Sequence, residues 1–150
     1  MESLPVTSEQ QFTSGLLRLG RIYRRECNHT LAEHGMSDAR ALPVLHIARA
    51  GGGIRQGVLA EELGVEGPSL VRILDQLCAA GLVERRDDPT DKRAKTLHLT
   101  PEGDELAVVV EQTVQNLRAS LLAQVSPEDL ATTLRTFAAF EAALENANRG

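Results

Sequence analysis

The sequence is poor in aromatic side chains, with one Tyr, three Phe and no Trp among 150 residues. Proteins that read single-stranded nucleic acids stack bases on aromatic rings, so this class is disfavoured. Two cysteines, Cys27 and Cys78, are too few for a disulfide framework or a cysteine metal cluster. No apolar run reaches the length of about 18 residues that a membrane-spanning helix needs, and residues 1–7 do not resemble a secretory signal. We therefore expect a cytoplasmic protein without a membrane segment.

Signatures of catalysis and of metal binding are also missing from the sequence. There is no glycine-rich phosphate loop, no nucleophile elbow and no Ser, His and Asp set in a recognisable context. The four histidines, His29, His34, His46 and His98, lack the spacing of metal ligands. The sequence therefore predicts a protein that is not an enzyme and that holds neither a metal nor a cofactor.

The net charge of −5 counts against binding to nucleic acid, but its distribution does not. Residues 1–100 carry 13 basic and 13 acidic side chains, whereas residues 101–150 carry 3 and 8. Both lysines of the chain, Lys92 and Lys95, lie close together. A locally basic surface can therefore form within the first 100 residues.

The apolar spacing predicts two helices before residue 50 and two long ones after residue 100. The first begins at a capping box, Ser8–Gln11, and ends before Gly35. The second begins at Ser37, and Pro43 indicates either a kink or a later start. The last two begin at Thr100-Pro101 and Ser126-Pro127, where a hydroxyl N-cap precedes proline.

The central part of the chain predicts a helix-turn-helix followed by a β-hairpin. Short helices over Gln56–Leu63 and Pro68–Ala80 flank a turn at Gly64, and Ala60 provides the small residue where they cross. Strands over Leu82–Arg86 and Ala94–Leu99 follow, joined by a charged turn.

One face of the second short helix is polar. Placing its leucines and Ile73 inward directs Pro68, Ser69, Arg72 and Gln76 outward, and such groups can approach a DNA major groove. An αα-hairpin of an unrelated helical protein would give a similar pattern. The hairpin tip with Lys92, Arg93 and Lys95 favours a winged helix over that alternative, although a charged tip is also typical of a solvated turn. Asp91 is expected to hold the Arg93 guanidinium by a bidentate pair.

Five segments together resemble the MarR family of bacterial regulators: Gly64–Arg72, Leu74–Leu77, Gly81–Val83, Asp91–Lys95 and Leu99–Gly103. Within them, residues 68–72 and 74–77 resemble its SlyA-like branch. The resemblance implies a mainly α (α+β) winged helix-turn-helix protein that forms a homodimer. It implies a single domain over residues 1–150, with a DNA-binding lobe at 37–100 and dimerisation helices at 8–34 and 101–148. It also implies that Ser69 and Arg72 contact the major groove and that Arg93 enters the minor groove.

We therefore predict a transcriptional regulator that binds a pseudo-palindromic operator in double-stranded DNA and localises to the nucleoid when bound. The resemblance further implies a small aromatic carboxylate effector. Its pocket residues are unassigned, although basic side chains lie on the first two helices: Arg18, Arg21, Arg24, Arg25, His46 and Arg49. Two alternatives stay open. One is redox sensing through Cys27, whose thiolate the neighbouring arginines would favour; the other is a winged helix that binds only proteins.

Overall fold

The computed structural model describes residues 5–36 and 38–149, with the side chain of Asp38 excepted. It contains six helices and a three-stranded antiparallel sheet with strand order β1-β3-β2. The helices are α1 (Ser8–Glu33), α2 (Asp38–Arg49), α3 (Gln56–Leu63), α4 (Gly67–Ala79), α5 (Pro101–Leu121) and α6 (Pro127–Asn148), and the strands are β1 (Ile54–Arg55), β2 (Val83–Asp87) and β3 (Lys95–Leu99). This architecture confirms the predicted winged helix. None of the described helices has an apolar stretch long enough to cross a membrane.

The chain divides into two compact units, Met1–Leu117 and Arg118–Gly150. In the second unit, α6 begins as predicted, because the Ser126 side chain accepts a hydrogen bond from the Asp129 amide at 3.1 Å. No described side chain of α6 is buried, and Leu130, Leu134 and Leu144 are exposed.

The start of α1 lies one residue earlier than predicted. The capping box is formed by Thr7 and Gln10, each side chain bonding the other's backbone amide at 3.2 Å. The predicted cap, Ser8, is the first helical residue. Two overlapping hydroxyl-x-x-Gln patterns occur here, and the earlier one adds a further residue to the helix.

Helix α2 passes through Pro43 without interruption, so the expectation of a later start is wrong. The predicted start at Ser37 lies outside the described residues. Proline in this position removes one intrahelical hydrogen bond, to the Ala39 carbonyl. Its ring is buried, so the loss is offset by apolar burial.

The core fixes the angle between α3 and α4, the predicted helix-turn-helix. Its fully buried side chains from these helices are Leu59, Leu70, Leu74 and Leu77, which pack with residues of α2, α5 and the sheet. Gly64 ends α3 in the left-handed conformation, with φ of 63°, where a side chain would be strained. The apolar positions chosen from the sequence are thus the ones that orient α4.

The glycine run at residues 51–53 forms the turn from α2 into the sheet. All three residues have φ between 75° and 80°. The Gly53 amide then donates to the Leu97 carbonyl at 2.8 Å, and β1 pairs with β3 through Ile54–Leu97 and Arg55–Thr96. The turn therefore places Arg55 beside the hairpin, next to the start of α3.

The first turn of α5 packs closely against the segment between α4 and β2. The Thr100 hydroxyl donates to the Gly81 carbonyl at 2.6 Å and accepts from the Gly103 amide at 3.1 Å. A Cβ atom at Gly103 would lie 2.1 Å from the Leu82 carbonyl oxygen. Only glycine allows this approach of two backbone segments.

Candidate nucleic-acid interface

Helix α4 presents the polar face that the sequence predicts. Pro68, Ser69, Arg72 and Gln76 are all exposed, and the leucines of the same helix are buried. Glu66, the residue before the helix, makes no side-chain capping bond, so the first-turn amides of α4 have no side-chain cap. This face combines amides, a hydroxyl, a guanidinium and a carboxamide, which are the groups that contact phosphates and base edges.

The second basic group lies at the hairpin tip. Strands β2 and β3 pair from Val83–Leu99 to Asp87–Lys95, and the turn spans residues 88–94. Lys92 and Arg93 are exposed in this turn. Lys95 differs from them, because its ammonium group pairs with Asp87 across the strands. Within residues 5–36 and 38–149, no carboxylate lies at ion-pair distance from Arg72, Lys92 or Arg93, so these three cations are open to an anionic partner.

Asp91 bonds Arg93, but not through the guanidinium, so the predicted bidentate pair is wrong. The Asp91 carboxylate instead accepts a hydrogen bond from the Arg93 backbone amide at 2.9 Å. Aspartate readily bonds the amide two residues ahead, which shapes the turn itself. Asp91 therefore supports the backbone of the tip and leaves the guanidinium unconstrained.

Sequence reasoning missed Asp88, which organises the hairpin turn. This residue is only 7% exposed. Its Oδ1 accepts from the Thr90 hydroxyl at 2.7 Å and the Thr90 amide at 2.8 Å, and its Oδ2 accepts from Arg55 Nε at 2.7 Å. These bonds, first those of Thr90, lower the pKa of Asp88 to about 2 from 3.8, against the opposing effect of burial. The acidic run at 87–88 was visible in the sequence, but its partner Arg55 is 33 residues away.

The low pKa of Asp88 predicts how its contribution to stability depends on pH. The charged form is favoured in the folded state, so the contribution is complete above the unfolded pKa and is lost as the pH falls through the folded pKa. We expect Asp88→Asn to lower the melting temperature by a constant amount above about pH 5 and by a shrinking amount between about pH 4 and pH 2. Melting curves of both proteins across this range measure the difference, and a difference independent of pH down to pH 2 would contradict the assignment.

A second missed residue, Arg85, links α4 to the hairpin. Its Nη1 donates to Asp75 at 2.7 Å and its Nη2 to the Val71 carbonyl at 3.3 Å. Both acceptors lie on α4, and Arg85 lies on β2. The polar face of α4 and the hairpin are thus tied by side chains as well as by the core.

Three of the basic residues considered for effector binding, Arg24, His46 and Arg49, have separate local partners. Arg24 Nη2 donates to the Leu63 carbonyl at 2.6 Å, and His46 lies 3.2 Å from Glu62. Arg49 donates to one Glu111 oxygen through Nε at 3.0 Å and Nη2 at 2.8 Å. A cleft of about 640 Å³ lies between α2 and α5, lined by Leu45, Ala48, Arg49, Ala107 and Val108 among others. Of the candidate cations, Arg49 is the one that lines this cleft.

The structure favours neither a metal site nor a reactive cysteine. Among the described residues, no group of three potential ligands lies close enough to hold a metal ion. Cys27 is buried at 5% exposure, and Cys78 is half-buried. A sensing thiol needs access for its oxidant, which Cys27 lacks in this conformation.

Comparison with known proteins agrees with this geometry. The model of the MarR family matches residues 34–94. The crystal structure of transcriptional regulator PA3341 is 36% identical, with a TM-score of 0.82, and the match covers 90% of this chain and 98% of that one. A cysteine-to-serine mutant of E. coli MarR, complexed with operator DNA, is 25% identical with a TM-score of 0.71 and covers 92% and 99%.

A more distant structure, NadR in complex with 4-hydroxyphenylacetate, is 22% identical and shows the same fold, with a TM-score of 0.77 over 93% of this chain and 97% of that one. The match to PA3341 spans nearly the whole of both chains, and the family model covers the helix-turn-helix and most of the hairpin. The chain belongs to the MarR family of transcriptional regulators.

Proposed function

We propose that the protein is a homodimeric regulator that binds double-stranded DNA through α4 and the hairpin. The observation that carries this proposal is the pair of open basic groups, Arg72 on the polar face of α4 and Lys92 with Arg93 at the hairpin tip, on elements held together by one core. The complex of E. coli MarR with operator DNA supports double-stranded DNA as the binding partner. A regulator of this kind acts in the cytoplasm, at the nucleoid.

The chemistry of each side chain suggests its role on DNA. Arg72 and Gln76 can form paired hydrogen bonds to base edges, and Ser69 with the amides near Pro68 can contact phosphate. Lys92 and Arg93 would lie along the backbone and the minor groove, where narrow A·T tracts attract arginine. Lys95 contributes less than either, because Asp87 already neutralises it. The tip is held in shape by Asp91.

Different parts of the chain are assigned to DNA binding and to dimerisation. The DNA-binding lobe spans residues 37–100, and residues 8–34 and 101–148 provide the dimerisation helices. Exposed leucines along α1 and α6, such as Leu16, Leu19 and Leu134, give each a surface that a second copy can bury. A two-fold dimer presents two α4 helices to successive major grooves, which requires a pseudo-palindromic operator. Residues 68–72 and 74–77 support placement in the SlyA-like branch.

Selection of bound duplexes from a random pool, followed by titration of affinity against salt, tests this function. A protein that neutralises several phosphates loses affinity steeply as salt rises, by about 0.9 log units per contact for each log unit of salt. We expect recovered sites with two-fold symmetry and a steep slope. The absence of duplex binding at low salt would favour instead the winged helix that binds only proteins.

Removal of the Arg93 guanidinium tests the hairpin contact. We expect Arg93→Ala to weaken operator binding and to reduce the salt slope by about one unit per contacting protomer, because one phosphate or groove contact is lost. Asp91→Ala should act in the same direction and more weakly, since it loosens the turn while the guanidinium remains. An unchanged slope in folded Arg93→Ala would show that Arg93 does not contact DNA.

We further propose that a small aromatic carboxylate binds in the cleft between α2 and α5. The cleft has apolar walls for a ring, and Arg49 provides a cation for a carboxylate once it leaves Glu111. Such a ligand regulates DNA binding only if it prefers a conformation that fits the operator poorly.

Binding of the effector and binding of the operator must affect each other equally, and this reciprocity predicts a measurable result. If salicylate weakens operator binding by a given factor, the operator must weaken salicylate binding by the same factor, with a coupling of about 1–3 kcal/mol. Calorimetry of salicylate with free protein and with the operator complex measures both affinities. Equal affinities would exclude regulation by this ligand, and unchanged affinity in Arg49→Ala would exclude this cleft.

A further inference from the structure

We propose that Arg55 and Asp88, with Thr90, form a positioning device for the hairpin tip, here called the wing clip. This inference rests on the proposed contact between the tip and DNA. It assigns a role to side chains that do not themselves touch the duplex: they hold the turn that carries Lys92 and Arg93 in one conformation before DNA arrives.

The contacts of the wing clip connect two distant parts of the chain. Arg55 is both the last residue of β1 and the residue that precedes α3, the first helix of the helix-turn-helix. Its Nε bonds Asp88 Oδ2 at 2.7 Å, and its Nη2 bonds the Thr90 hydroxyl at 3.3 Å. The wing clip therefore fastens the base of the hairpin turn to the start of the helix-turn-helix.

The turn beyond the wing clip is closed by backbone bonds. The Asp88 amide donates to the Ala94 carbonyl at 3.1 Å, and the Ala94 amide donates to the Asp91 carbonyl at 3.0 Å. The Asp91 amide also donates to Asp88 Oδ1 at 3.3 Å. The position of Asp88 thus sets the course of the whole loop, including the backbone of Arg93.

The charges of the wing clip make Arg55 a weaker candidate for a phosphate contact than Arg72, Lys92 and Arg93, which no carboxylate of the described residues compensates. The Arg55 side chain is about half exposed, at 49%, but its charge is compensated by a carboxylate that is almost fully buried. Asp88 is ionised throughout the neutral range, because its pKa lies at about 2. A pre-ordered loop loses less conformational freedom when it binds, so it binds more tightly without any new contact.

Asp88→Asn distinguishes positioning from charge. The variant removes a negative charge near the DNA-binding surface, so electrostatics alone would raise the affinity for DNA. If the wing clip positions the tip, affinity falls instead. With the tip correctly placed for about one fifth of the time, apparent affinity drops about fivefold for each protomer. Asp87→Asn is the matched control, because it removes the same charge one residue away and frees Lys95; its affinity should be unchanged or higher.

A double-mutant cycle shows whether the wing clip acts through the tip. We expect Arg55→Ala to lower operator affinity in the wild-type and Arg72→Ala backgrounds by the same factor, because α4 is an independent contact. In the Lys92→Ala/Arg93→Ala background the loss should nearly vanish, since both contacts being positioned are already absent. Arg55→Lys keeps the charge but loses the two-point geometry, so it should resemble Arg55→Ala.

Hydrogen exchange of the DNA-free protein supplies a readout that does not depend on binding. The amides of Thr90 and Asp91 should exchange faster in Asp88→Ala, which removes the Oδ1 atom that accepts from both. The exchange of the core-helix amides and the melting temperature identify any variant that has lost its fold. Unchanged exchange at both amides would overturn the positioning role.

The binding outcomes separate this inference from the proposed function. If the Lys92→Ala/Arg93→Ala variant leaves affinity unchanged, the hairpin contact fails and the wing clip with it. If Arg93→Ala weakens binding but Asp88→Asn does not, the wing clip alone is wrong. If the effect of Arg55→Ala persists fully in the Lys92→Ala/Arg93→Ala background, the residue acts elsewhere and the positioning role is overturned.

Discussion

Gly103→Ala is expected to destabilise the unit Met1–Leu117 by about 3 kcal/mol or more, which is at the upper end of the cost of overpacking. The added Cβ would lie 2.1 Å from the Leu82 carbonyl oxygen and 3.3 Å from the Leu99 Cβ. Both neighbours are held in place, since the Leu82 carbonyl accepts the Thr100 amide at 3.1 Å. Relief therefore requires α5 to move away from the end of α4. Thermal unfolding should shift down by roughly 10–20 °C.

Gly20→Ala provides the matched control for this prediction. Gly20 lies in the interior of α1, and nothing lies within 4 Å of the position that its Cβ would take. The same substitution should there stabilise the helix by about 0.5–1 kcal/mol, because alanine is the better helix former. Opposite signs at the two sites would attribute the Gly103 effect to the close approach. A similar melting temperature for Gly103→Ala and the wild type would contradict it.

Arg72→Ala is expected to cause the largest loss of operator affinity among single substitutions on the polar face of α4. A bidentate contact from arginine to guanine contributes about 1–3 kcal/mol for each recognition helix. The proposed dimer would lose two such contacts, so affinity should fall at least about 30-fold. The melting temperature should hardly change, because the side chain is exposed and no core residue is removed.

Two variants sharpen this prediction. Arg72→Lys keeps the charge but loses the forked geometry, so it should retain non-specific binding while losing discrimination at one base pair of each half-site. Arg149→Ala removes an exposed guanidinium that lies outside both the DNA-binding lobe and the dimerisation helices, and it should leave operator affinity unchanged. Binding curves against the selected operator and a scrambled duplex measure both effects. Wild-type affinity of folded Arg72→Ala would remove this residue from the interface.

Much of the fold was predictable because its signals are local. Helix α3 ends as predicted, since Gly64 provides a left-handed cap, and α6 starts as predicted, since Ser126 and Pro127 form a strong helix start. The apolar spacing of α4 fixed which side chains face outward. These features depend on residues within about one helical turn of each other.

The parts that escaped prediction depend on contacts between distant residues. Arg55 meets Asp88 only because the glycine turn brings β1 beside β3, and Arg85 meets Asp75 only because the hairpin returns to α4. The Asp91 error has a different cause: a side chain can satisfy the nearest backbone amide rather than a more distant guanidinium. Spacing alone cannot distinguish these outcomes.

The hydrogen bond from Arg24 to the Leu63 carbonyl couples the position of α1 to the end of α3, the first helix of the helix-turn-helix. Arg24 lies about 24 Å along the helix from Ser8, at about 1.5 Å of rise per residue. A tilt of α1 by about 5° about its first turn would therefore displace Arg24 by about 2 Å, several times the spread of about 0.5 Å that hydrogen-bond lengths allow. Either α3 follows that movement, the Arg24 side chain changes rotamer, or the bond breaks. Where the Arg24 side chain keeps its rotamer, a small rotation of the first helix therefore moves the end of α3, and in the proposed dimer this would change the distance between the two α4 helices.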